Sequence, residues 1–148
     1  MNETIAGTGA KTPWHVWVVG IVSLLWNAGG VASYMATETG NLAAFGMPDE
    51  THAYFYGFPA WAVATWALGV WGSFAGSVLL LLRSRFAVWS FAISVIGLVG
   101  TTYYERLVTD IPDALNSLGQ QIFAVAIWVI TLFLLWYSRR MTARGVLR

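Results

Sequence analysis

The sequence predicts an all-α polytopic membrane protein, an antiparallel left-handed bundle of four transmembrane helices. Three observations carry this: 57% of the 148 residues are hydrophobic and only 10% charged, four long stretches lack charge, and each stretch repeats small and polar residues at helical spacing. A soluble domain carries about 25% charged residues. The composition therefore belongs to a chain whose solvent is lipid, and the mean hydropathy of +0.63 agrees.

The four spans are expected at about 14–35, 58–82, 86–104 and 118–138 in a single transmembrane domain, residues 1–148. A helix rises 1.5 Å per residue, so about 20 apolar residues cross the hydrocarbon core. The third span is barely long enough. Lipid offers no partner to a bare amide, which makes segments of this length helices. Pro13 opens the first span at a place where a helix needs no donor. Between the first two spans lies an external loop, 36–57, in which Pro48-Asp49-Glu50 reads as the start of a short helix. A tail, 139–148, follows the last span.

Basic residues set the orientation, because Lys and Arg in short loops stay on the cytoplasmic side. Lys11, Arg83, Arg85, Arg139, Arg140, Arg144 and Arg148 fall on one side; Arg106 stands alone opposite, with Glu38, Asp49, Glu50, Glu105, Asp110 and Asp113. Both termini are thus expected in the cytoplasm, and the protein in an inner, cytoplasmic membrane. On the outer side Arg106 is in reach of Asp110, if the helix extends that far.

Steps of three and four place Gly20, Ser23, Asn27, Gly30 and Tyr34 on one face of the first span. The same reading gives Ala62, Thr65, Gly69, Gly72 and Gly76 on the second and Ala87, Ser90, Ser94, Gly97, Thr101 and Tyr104 on the third. The fourth offers Ser117, Gln121, Ala124, Trp128, Thr131 and Ser138. Small residues permit close backbone approach and polar ones bond across helices, so these faces should meet, crossing at about 20°. Gly72-x-x-x-Gly76 serves either internal packing or the seam of a homo-oligomer.

Asn27 is the one carboxamide deep in a span. It either pins the first span to its neighbours through hydroxyls such as Thr65 or Thr101, or binds a polar solute. With the spans alternating in direction, Asn27, Tyr34, Thr65, Thr101, Tyr104, Gln121 and Trp128 are all expected in the outer half, where they would line a solute pocket opening outward. A carboxamide and an indole suit a neutral sugar or polyol, whose hydroxyls need planar partners and whose C–H faces need an aromatic surface.

Other chemistry is excluded or unsupported. The chain has no cysteine, so thiolate catalysis, iron–sulfur clusters and cysteine-ligated zinc are out of reach. His15 and His52 lie on opposite sides and cannot share a metal; both read as interfacial. The first span lacks the acidic residue that a small proton-driven antiporter requires. No cofactor, metal or nucleic acid is expected, since a net charge of +1 attracts no polyanion, and no catalytic set can be assembled.

The stretches Lys11-Thr12-Pro13-Trp14-His15-Val16-Trp17, Trp26-Asn27-Ala28-Gly29-Gly30, Tyr54-Phe55-Tyr56-Gly57-Phe58-Pro59-Ala60-Trp61, Gly69-Val70-Trp71-Gly72 and Arg144-Gly145-Val146-Leu147-Arg148 resemble a family of small four-span bacterial membrane proteins. Its members are often automatically named "sugar transporter", and the resemblance covers nearly the whole chain. It passes on that name and no mechanism, substrate or binding residue. Two function classes follow: a non-catalytic membrane protein with an accessory or packing role, and a small neutral solute carrier working as an oligomer.

Overall fold

The computed structural model describes residues 10–148, which form five helices without strands among them. Helix α1 spans Trp14–Glu38, α2 Asp49–Tyr56, α3 Ala60–Leu81, α4 Ala87–Tyr103 and α5 Leu118–Ala143. All four prolines precede helical turns: Pro13 before α1, Pro48 before α2, Pro59 before α3 and Pro112 before a 3-10 turn at Asp113–Leu115. Their fixed φ enters a helix without strain, and the missing N–H is not needed there. Ser117 caps α5 by accepting the Gln120 amide at 3.3 Å. At the end of α4 the winding loosens into one π turn, Tyr104–Val108, before the chain becomes extended at Thr109.

Four helices, α1, α3, α4 with its π turn, and α5, are long and apolar enough to cross a membrane, and the protein is a multi-pass membrane protein. Trp89, Ile96, Val125 and Val129 lie on its outer surface. Such a girdle would be a liability in water and is neutral in lipid.

Helix α3 is the centre of the bundle. It packs most extensively on α4 and then on α1, while α5 leans mainly on α4. Between α1 and α5 the approach is made by side chains: His15 Nδ1 meets the Tyr137 hydroxyl at one end, and the Trp26 and Phe123 rings lie 5.7 Å apart further along. His15, expected only at an interface, thus joins two helices.

The closeness of α3 and α4 follows from glycine. A Cβ on Gly72 would sit 3.0 Å from the Ser94 amide nitrogen, and one on Gly76 would fall into the Phe91 ring. At that separation hydroxyls reach the opposite backbone: Ser90 donates to the Gly72 carbonyl and Ser94 to that of Gly69, each at 2.7 Å. Of the two roles expected for Gly72-x-x-x-Gly76, internal packing is the one seen within the chain, where α4 fills that face.

At the end rich in arginine, Val16, Leu80, Ala87, Phe91, Leu134, Tyr137 and Met141 form the main core with Val146 and Leu147. The expected tail at 139–148 needs correction on two counts. Helix α5 continues to Ala143, and Gly145 at φ 72° then turns the chain back. Val146 and Leu147 are buried, and Arg148 exchanges two backbone bonds with the α3–α4 turn, its N–H to the Arg83 carbonyl at 2.8 Å and its carbonyl from the Arg85 N–H at 3.1 Å. Two apolar side chains gain burial by folding inward, and the turn gains partners for its amides. Arg83, at φ 55°, is the one non-glycine residue with positive φ among those described. Its guanidinium also reaches Thr12 Oγ1 at 2.9 Å.

Candidate functional site

The seven residues expected to line one pocket fall into three separate places. Asn27 is buried between α1 and α3, where its amide donates to the Ser73 carbonyl at 3.1 Å and to Ser77 Oγ at 2.9 Å. Ser23 Oγ gives its proton to the Gly20 carbonyl, so in its 2.9 Å bond with Ser77 the latter must be the donor. By the same count Ser73 donates to Ser94 across 2.7 Å, because the Ser94 proton is committed to Gly69. One directed chain therefore runs from Asn27 through Ser77 and Ser23 to a carbonyl, and a second from Ser73 through Ser94. Asn27 is not bonded to Thr65 or Thr101, which corrects that expectation. The reason is that α3, being central, shows two faces. Its glycines turn to α4 and Ser77, one residue step or about 100° beyond Gly76, turns to α1, while Ser73 lies between, with its carbonyl toward Asn27 and its hydroxyl toward Ser94.

Thr65, Thr101, Tyr34 and Tyr104 belong to the acidic end. Thr101 approaches Thr65 Oγ1 at 3.5 Å, and both hydroxyls also bond their own helix, to the Gly97 and Ala62 carbonyls. Tyr34 stands edge-on to Trp66, with ring centres 5.2 Å apart, and Tyr104 packs on Phe58 at 4.7 Å and Trp61 at 5.4 Å. Phe58 and Tyr104, with Tyr54, Phe55 and Trp66 packed against them, form the second core. Burial above all raises the pKa of the Tyr54 phenol far beyond its ordinary value; the nearby Glu105 carboxylate and then Tyr104 add to the rise, and Arg106 opposes it. Tyr54 thus stays a neutral hydrogen-bonding group at any physiological pH.

Gln121 and Trp128 alone share an opening. A cleft of about 300 Å³ lies between α4 and α5 at the acidic end, with Thr102, Glu105, Arg106, Gln121 and Trp128 along it and Leu98 and Ile127 deeper. The Trp128 indole N–H donates to Thr102 Oγ1 at 3.2 Å and ties the two helices together. Gln121 bonds back to the Asn116 carbonyl at 3.2 Å, and its side chain is exposed. Sequence reasoning placed Glu105 and Arg106 on the outer side and missed that they line the cleft. They do so through the π turn, whose wider winding the sequence does not announce and which recurs at functional sites in other proteins. The turn stops at Val108, so no i+4 helical pairing of Arg106 with Asp110 forms. Among the described residues the one acid–base pair within 4 Å is His52 with Asp49, at 3.8 Å.

Among the described residues, no buried side-chain nitrogen or oxygen lacks a partner, and no three His, Asp or Glu gather as a metal site would require. Comparison with protein-family models, with curated proteins and with solved structures found no match.

Proposed function

We propose that this chain is a non-catalytic inner-membrane protein with an accessory or packing role, its termini in the cytoplasm. The observation that supports this reading is the pair of donor bonds made by the Asn27 amide. Both of its amide protons are taken by α3, which leaves neither of them to offer a solute. The outward faces of α1 and α5, carrying Leu25, Val22, Val129 and Ile122, are apolar and suit lipid or the spans of a larger assembly. The division of basic residues supports the orientation. In intact spheroplasts an impermeant thiol reagent is expected to label Glu50→Cys and Asp113→Cys and to spare Ser84→Cys and Thr142→Cys; the opposite pattern inverts it.

One observation favours a second reading, the small neutral solute carrier. Gln121 and Trp128 line the same cleft, and the resemblance to proteins named sugar transporters points the same way. Proteoliposomes loaded with radiolabelled mannitol separate the two. The non-catalytic reading expects efflux no faster than from protein-free vesicles. Saturable efflux dependent on the protein contradicts it in favour of the carrier.

A further inference from the structure

The α4–α5 cleft carries two opposite charges side by side with no salt bridge to either among the described residues. Glu105 is half-buried and Arg106 exposed, both at its mouth. A charge near lipid is costly, and an ionisable residue beside a cavity there marks a candidate functional site. A neutral sugar would leave both charges unanswered, and a simple anion or cation would leave one.

Depth narrows the choice further. Trp128 lies seven residues beyond Gln121 along α5, about 10 Å deeper at 1.5 Å per residue. Leu98 lies eight residues before Arg106 on α4, about 12 Å deeper by the same rise. The cleft is thus charged at the interface and apolar within, and Val125 on its wall faces outward toward lipid. Its volume of about 300 Å³ is at the small end of ligand sites, sufficient for a headgroup and the adjoining carbons.

From this gradient and this charge pair we infer that the cleft holds one zwitterionic phospholipid bearing a primary ammonium, of the phosphatidylethanolamine type. The ammonium donates to the Glu105 carboxylate, and the phosphodiester accepts from the Arg106 guanidinium. The Gln121 side chain lies at the same level, and the first acyl carbons lie on Trp128, Leu98 and Ile127. A choline headgroup has no N–H to give Glu105, and a glycerol headgroup has no cation, so both should bind more weakly. The site goes beyond the non-catalytic reading and does not depend on it, since mannitol flux tests that reading separately.

Native mass spectrometry of the full chain in detergent, titrated with phosphatidylethanolamine, phosphatidylcholine and phosphatidylglycerol of identical acyl chains, tests the assignment. The ethanolamine lipid is expected to bind about tenfold more tightly than either of the others, the equivalent of one charge-assisted hydrogen bond. Glu105→Gln should bring it down to the choline level, and Arg106→Gln should weaken ethanolamine and choline lipids alike. Arg106 is exposed, so its variant serves if Glu105→Gln fails to fold. Equal affinities for the three lipids overturn the proposal, as does an ethanolamine preference that survives Glu105→Gln, or phospholipid binding that Arg106→Gln leaves undiminished. Soluble phosphoethanolamine competing as well as the intact lipid would assign the cleft to a free zwitterion, and displacement by mannitol would assign it to a neutral solute; either outcome removes the lipid.

Discussion

Gly97→Leu is expected to leave no folded bundle in detergent, and Gly97→Ala to lower the unfolding midpoint, although alanine is the better helix former. A Cβ at Gly97 would stand 2.5 Å from the Thr65 carbonyl oxygen and against the Gly69 backbone. Backbone has no rotamer by which to yield. The helices would have to part, and parting stretches the 2.7 Å bonds from Ser90 and Ser94 to the Gly72 and Gly69 carbonyls. Overpacking costs about 1–3 kcal/mol where side chains give way, and more is expected here. Gly29 is the matched control, with nothing within 4 Å of its added Cβ. There alanine should stabilise by up to about 1 kcal/mol through helix propensity alone. Opposite signs for the same substitution in one protein, read from thermal melts in detergent, check the argument; equal signs would mean that the α3–α4 seam is not the close one.

Asn27→Asp should have the next largest effect. The carboxylate loses both donors and places negative charge against the Ser73 carbonyl, which the amide now meets at 3.1 Å. An ionised Asp at the centre of a span costs about 2.5–3.5 kcal/mol even by permissive insertion scales. Asn27→Leu keeps the volume and forfeits only the bonds, so a loss of about 1–2 kcal/mol is expected. A melt in which leucine is as damaging as aspartate would place Asn27 in a roomier, wetter setting than the serine network describes.

The faces that α1 and α4 turn to the central helix α3 were legible from spacing alone. Gly20, Ser23 and Asn27 of α1 are buried as the stripe predicts, as are Ala87, Ser94 and Gly97 of α4. Helix α3 has two neighbours, and the reading found the glycine face while missing Ser73 and Ser77. Their i, i+4 spacing, continued by Leu80 and Leu81, was the available signal. On α5 the reading recovered Thr131 and Ser138 but not Leu134, Tyr137 and Met141. Apolar residues that face a helix and those that face lipid look alike when the solvent is itself apolar. The pocket failed for a related reason: a stripe names a face and not the neighbour that will cover it. Asn27 met serines at its own depth, Tyr104 met rings, Thr65 stayed with Thr101, and Gln121 stayed with Trp128. Burial of Val146 and Leu147 was signalled by two apolar residues among arginines, but charge placement dominated the reading.

Asn27 acts as a clasp between α1 and α3, and a double-mutant cycle of Asn27→Leu with Ser77→Ala tests the clasp most directly. Unfolding free energies of the four proteins in one detergent give the coupling between the two side chains, free of what each substitution does by itself. The 2.9 Å bond from the amide to Ser77 Oγ predicts a favourable coupling of about 0.5–2 kcal/mol, the range for polar pairs between membrane helices. Strict additivity of the two substitutions would contradict the clasp.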